Sequence, residues 1–210
     1  MYARDGQWEQ AEKTFRHSIE LDPNRSTTYS DFAVWLLMVL GRIEEAFNQL
    51  RVAEKADWRA PEVNSGLAAV LISAGRYDEA ADYCLKLSAD DSFKTPCLAR
   101  ARLGQGRTGE AIQLLAGDTT PPNPGFLGYA YARSGRREEA EKLAAATTNP
   151  YMQVLIFAGL CDKDRTLEAL DRMATLGALR VGRTLTYPEL ALLRGDPRVK
   201  ALRKKVGLPE

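Results

Sequence analysis

A turn glycine followed five residues later by an alanine recurs along this chain, and no other feature of the sequence restricts its fold so tightly. The copies are Gly6/Ala11, Gly41/Ala46, Gly75/Ala80, Gly106/Ala111 and Gly135/Ala140, and a worn sixth runs from Cys161 to Thr166. Successive copies lie 35, 34, 31, 29 and 26 residues apart. Self-similarity at such a period means a row of helical hairpins, each packed only on its neighbours, and not one closed globule. Both halves of the tag have a mechanism. Glycine accepts the left-handed conformation that ends a helix, and alanine leaves room for the next helix to cross closely.

Prolines punctuate the row. Pro23, Pro61, Pro96, the Pro121/Pro122/Pro124 cluster and Pro150 fall between hairpins, and none falls inside a tag. Proline is tolerated in the first turn of a helix but not in its middle. Reading between them predicts helix pairs 27–40 with 43–55, 61–73 with 77–87, 94–104 with 108–116, 123–134 with 137–147, and 150–160 with 164–175. No stretch shows the alternation that a strand requires. The expected fold is therefore all-α, a solenoid of five to six helical hairpins over residues 1–176. Residues 177–210 are read as a loop and a C-terminal capping helix, in which Asp196 caps, Pro197 opens the first turn, and Val199, Leu202 and Val206 form one apolar stripe.

Small and bulky residues alternate along the first helices. Ala68, Ala99 and Gly128 stand seven residues before a turn glycine, and Val34 and Val154 take that place in other units. Tyr2, Leu37, Leu71, Tyr131 and Phe157 stand four residues before the turn, and Arg102 breaks the column. Small facing small, with a large residue one turn along, is interdigitating hairpin packing. With the run Leu127 to Tyr131 before Gly135, and a first unit ending Leu21-Asp22-Pro23, the chain resembles the tetratricopeptide repeat family. That resemblance implies a right-handed superhelix that binds proteins. It departs from the family pattern in its short fourth to sixth units and in Trp58, which stands where a proline is expected. The tail resembles the end of repeat regions attached to bacterial signalling and transcription proteins, on the element Leu193-x-x-Asp196-Pro197 through Leu202. The resemblance implies the C-terminal part of a larger bacterial regulator.

Chemistry finds no purchase in these residues. Gly104, Gly106 and Gly109 match G-x-G-x-x-G, but a helix precedes them where a dinucleotide site needs a strand. His17 is the only histidine, so neither a histidine metal site nor a nucleophilic triad can be assembled. Acid pairs such as Glu44/Glu45, Asp78/Glu79 and Glu138/Glu139 sit in first turns of second helices, where the helix dipole favours them. No catalytic residue, cofactor or metal is expected, and the chain does not read as an enzyme. Its net charge of +1 provides no global field towards nucleic acid or acidic lipid. The longest apolar run, Phe32 to Leu40, is nine residues, against about 20 for a membrane span. The basic stretch from Arg194 to Lys205 reads as the solvated face of the cap. Cys84, Cys97 and Cys161 are scattered and odd in number, which reads as three reduced thiols in a cytoplasmic protein. The first residues carry no signal-peptide pattern.

Function is therefore sought on the concave surface, which first helices line. Positions nine and six residues before each turn are expected to point there: Phe32 and Trp35, Gly66 and Ala69, Cys97 and Arg100, Phe126 and Tyr129, and Met152 and Leu155 before Cys161. This row either is buried by a tightly wound array or forms a groove for an apolar peptide or helix. The candidate partner-binding residues are Phe32, Trp35, Arg100, Phe126, Tyr129 and Arg133. At the other end only five residues precede Gly6, so the first hairpin reads as truncated and the apolar helix from Tyr29 to Leu40 as partly uncovered. That predicts either missing upstream sequence or self-association, a homodimer through the open end, as the structural alternative to peptide binding.

Overall fold

The computed structural model describes residues 7–209; the expected truncation of the first hairpin before Gly6 lies outside them. Among these residues every regular element is helical. The chain runs through α1 (Trp8–Leu21), α2 (Ser26–Phe32, continued as a π turn Ala33–Leu37), α3 (Ile43–Ala56), α4 (Pro61–Ser73), α5 (Tyr77–Lys86), α6 (Lys94–Gly104), α7 (Thr108–Leu115), α8 (Asn123–Arg133), α9 (Arg137–Ala146), α10 (Pro150–Gly159) and α11 (Lys163–Met173). The tail adds a short 3-10 turn (Ala174–Leu176), α12 (Ala178–Leu185), a 3-10 segment (Pro188–Leu193) and α13 (Pro197–Lys205). The repeat region is a solenoid of helical hairpins, as the tag spacing requires. The segment read as a loop is itself mostly helical.

Each tag glycine closes its hairpin in one way. Gly41, Gly75, Gly106 and Gly135 have φ between 76° and 83°, and Cys161 takes the same place at 58°. The amide after the turn then donates to the carbonyl five residues back, as in Arg42 N to Leu37 O at 2.9 Å and Asp162 N to Phe157 O at 3.0 Å. These are helix-terminating bonds that answer otherwise orphaned carbonyls. The following arginine pairs with a glutamate three residues on, at Arg42/Glu45, Arg76/Glu79, Arg107/Glu110 and Arg136/Glu139. In the sixth copy the charges are exchanged: Asp162 caps α11 by accepting from the Arg165 amide at 3.0 Å. The worn copy retains the geometry with different residues.

The tag alanines do what their size allows. Ala46, Ala80, Ala111, Ala140 and Thr166 are fully enclosed, and Ala11 nearly so. Between units, Gly128 faces Ile156 and Gly159 faces the backbone of Tyr129, each so close that a Cβ would have no room. Helices α8 and α10 meet there at glycine distance.

Two expectations need correction. Cys84 at the end of α5 and Cys97 in α6 are joined by a disulfide, their Cα atoms 5.8 Å apart. The hairpin row brings them together because α6 packs directly on α5, a proximity that spacing along the chain does not reveal. Only Cys161 is free, and it is exposed. The second correction concerns the apolar helix of the second unit. Phe32, Leu36, Leu37, Met38 and Val39 are all buried. Phe15 of α1 stacks on Phe32 at 5.3 Å, and Val39 shares a hydrophobic cluster with Val181, Leu202 and Leu208 of the tail. Gly182 lies against the Val39 carbonyl, and the Trp8 indole donates to the Gly207 carbonyl at 2.5 Å, across 199 residues of sequence. The chain's own C-terminus covers the Val39 end of that helix, while Trp35 within it stays half-exposed.

Ala80→Leu is expected to destabilise the protein by about 1–3 kcal/mol in urea unfolding, because the crossing has no space for three more carbons. Leucine at the neighbouring solvent-facing Glu79, which loses only an exposed pair with Arg76, should lower the midpoint only slightly, well short of the Ala80→Leu effect. Thiol titration of the native, unreduced protein should find one reactive cysteine. Replacing both Cys84 and Cys97 with alanine should lower stability by about 3 kcal/mol, the scale for a loop of this size.

Candidate partner-binding groove

Of the positions six residues before each turn, Trp35 borders an open cleft, Arg100 meets the tail, and Ala69 and Leu155 are enclosed in the core. Those nine residues before are rotated away by one short turn and enter the seams between units. Phe32 meets Phe15 of the preceding second helix, Gly66 meets Leu50 of α3, and Cys97 meets Cys84 of α5. Phe32 and Phe126 are 1% and 2% exposed. Their expected accessibility is thus corrected: they are parts of the core.

The inner surface itself is largely occupied by the tail. Residues Pro188–Leu193 pack on α10, and Glu189 meets Arg100 of α6 in a two-pronged ion pair, Nε to Oε1 at 2.7 Å and Nη2 to Oε2 at 3.0 Å. Both side chains are about 5% exposed or less. The guanidinium also lies 4.0 Å from the Tyr187 ring centroid and 5.2 Å from that of Phe126. The Tyr151 hydroxyl donates to that of Tyr187 at 3.2 Å, and burial holds the Tyr151 hydroxyl well above the ordinary phenol range. Burial, with Glu189 nearby, pushes Tyr129 up to about 12. Neither phenol ionises at neutral pH. This end of the groove is a sealed polar knot, and Arg100, 4% exposed within it, is closed to a partner.

What remains open lies around Trp35, at the other end. Trp35 is 50% exposed. On one side of it is a cleft of about 670 Å³, walled by Tyr151, Tyr187 and the start of the tail: Leu176, Leu179, Arg180 and Arg183. On the other is a smaller cleft of about 210 Å³ bearing Asp31, Glu62 and Phe93. Arg183 borders both and stands over the Trp35 ring at 5.9 Å. Partial burial, reinforced by Glu62, lifts Asp31 above the usual carboxylate range despite a hydrogen bond from Trp35. Of the six residues singled out from sequence, only Trp35 is in this open region. Arg100, Phe126 and Tyr129 lie beneath the tail, and Arg133 is exposed on α8, contacting Cys161 Sγ at 3.6 Å.

Sequence reasoning missed Arg180, Arg183, Tyr187 and Glu189. One signal pointed to the last of them. Arg100 is the lone cation in an otherwise apolar row, and a buried cation requires an anion. Among the described residues no group of three or more histidine, cysteine, aspartate or glutamate side chains could hold a metal, and no helix is long and apolar enough to cross a membrane.

With this geometry in hand, the fold can be set beside known structures. PilW, a widely conserved type IV pilus biogenesis factor, superposes with a TM-score of 0.64 at 18% identity, covering 90% of this chain and 91% of that one. Pseudomonas aeruginosa PilF superposes with a TM-score of 0.59 at 17% identity, covering 97% of this chain and 92% of that one. YrrB, a tetratricopeptide protein with an unusual peptide-binding site, gives a TM-score of 0.49 at 18% identity, covering 90% and 97%. No family model and no curated protein sequence matches the chain. The fold is an all-helical repeat solenoid, shared with PilW and PilF.

Breaking the inner knot should be costly. Glu189→Ala is expected to destabilise by about 3–5 kcal/mol, because it strands a buried guanidinium. Replacing the pair together, Arg100→Met with Glu189→Leu, should recover most of that loss in the same denaturation assay.

Proposed function

We propose that this chain is a protein–protein interaction module that takes a peptide or helical segment of a partner into the open end of its inner groove. The observation that carries this reading is Trp35. In a row whose other large side chains are sealed or half-buried, it stands half-exposed between two clefts, close to the 53% exposed Leu176 in the larger one. A large aromatic left in water at a concave site is the usual anchor of a protein interface. No catalytic role is assigned to any residue. The bacterial regulatory setting rests on the tail's resemblance alone.

The rival reading, self-association through the N-terminal end, has lost its main support, because the tail covers Val39 and its neighbours. The Cys84–Cys97 bridge also favours an oxidising compartment over the cytoplasmic one expected from sequence.

Panning a random peptide library on the immobilised protein tests the main reading. Selected peptides should bind with affinities of about 1–100 μM and lose about tenfold or more on Trp35→Ala, with the unfolding midpoint unchanged. Failure to enrich any peptide, or equal binding to Trp35→Ala, would remove the groove from consideration.

A further inference from the structure

The arginines of this protein are mostly spoken for. Arg42, Arg76, Arg100, Arg107, Arg136, Arg165 and Arg198 all hold carboxylates. Arg180 and Arg183, like Arg59, Arg133 and Arg194, form no ion pair among the described residues, but these two stand together on α12 in the wall of the larger cleft. No acidic side chain lines that cleft. Arg183 is half-buried, and its Nε is shut off from solvent without a hydrogen-bond partner. A buried donor without an acceptor is a standing cost, which an incoming anion would relieve on a turn of the Arg183 side chain.

The two clefts also differ in charge. The larger one carries Arg180 and Arg183 and no carboxylate, whereas the smaller one, across Trp35, sets Asp31 and Glu62 beside the shared Arg183. A chain crossing the indole would therefore meet uncompensated cations only on the α12 side, which favours one direction.

Resting on the proposed function, we infer that the groove accepts an acidic peptide, with an apolar side chain against Trp35 and a neighbouring carboxylate held by Arg180 and Arg183. The carboxylate is recognised by tail residues and not by the repeats, so the tail has two roles: Glu189 fills one end of the groove, and α12 supplies the binding charge at the other. Arg183 is half-buried and Arg180 exposed beside Leu176 and Leu179, so a carboxylate entering the cleft meets both cations.

Fluorescence anisotropy with three labelled peptides tests this directly. All share a Leu-Phe core and differ in two flanking residues, which are glutamate, glutamine or lysine. The glutamate peptide should bind the full chain about tenfold tighter than the glutamine one, the scale of a charge-assisted hydrogen bond. The lysine peptide should bind more weakly than either. In R180Q/R183Q the glutamate advantage should vanish while binding of the glutamine peptide stays within about twofold. In R180E/R183E the order of glutamate and lysine should reverse. Arg59→Gln, at an arginine stacked on Trp58 away from either cleft, should change nothing, and circular dichroism should confirm that every variant is folded.

Equal binding of the glutamate and glutamine peptides, both lost on Trp35→Ala, would overturn the anion inference and leave the peptide-binding reading standing. Absence of binding by all three would overturn both. Tighter, arginine-dependent binding of an oligothymidylate or of phosphatidylglycerol vesicles would overturn the assignment of a peptide.

Discussion

A charge taken out of water must be answered, and Arg100 finds its answer 89 residues further along, in Glu189. The array by itself would place this cation on an inner surface whose neighbours are Phe126, Tyr129 and the ends of α8 and α10. Once the tail removes that guanidinium from solvent, a well-aligned carboxylate has to accompany it. Glu189 does so, and the pair sets the register in which Pro188–Leu193 lies in the concavity. Tyr187 stacks on the guanidinium and meets Tyr151. Gly182 is set against Val39, and the residues after α13 reach α1, where Trp8 bonds to Gly207.

The consequence is a solenoid whose ends are tied together by its own C-terminus. Repeat arrays ordinarily derive their stability from nearest neighbours alone. Here one hydrophobic cluster gathers residues from α9 to α13 together with Val39, and Trp8 and Leu40 pack against it. A long-range closure of this kind couples the terminal units, which in an open array would fray first. Cooperative unfolding in place of stepwise loss from the ends is the behaviour such a structure favours.

Closure also partitions the groove. Where the tail lies deepest, polar groups satisfy one another and no room remains. Where α12 crosses the second unit it touches Val39 through Gly182 but leaves clefts on either side of Trp35. The binding surface is therefore composite. One wall belongs to the first helices of the repeats, and the other belongs to a segment that follows them in sequence.

The hairpins were legible in the sequence because their causes are local. A left-handed turn requires glycine or a residue that tolerates its conformation, a close crossing requires alanine, and proline marks helix starts. The tag announced all of these, and even Cys161 keeps the turn in the worn copy. The helix pairs fall close to where the spacing placed them, apart from the π turn at Ala33–Leu37. The tail's path, the Cys84–Cys97 bridge and the sealing of Phe32 and Phe126 were not legible, because each depends on which helix lies beside which. A shift of three residues along a helix turns a side chain from the inner surface into a seam, and periodicity alone does not say which one faces the cavity. Sequence by itself determined the repeating hairpin and its turns, since a few neighbouring residues suffice to enforce them. Only the tertiary structure decided what fills the groove, because a buried arginine on α6 and a glutamate in the tail had first to be brought within 2.7 Å of each other.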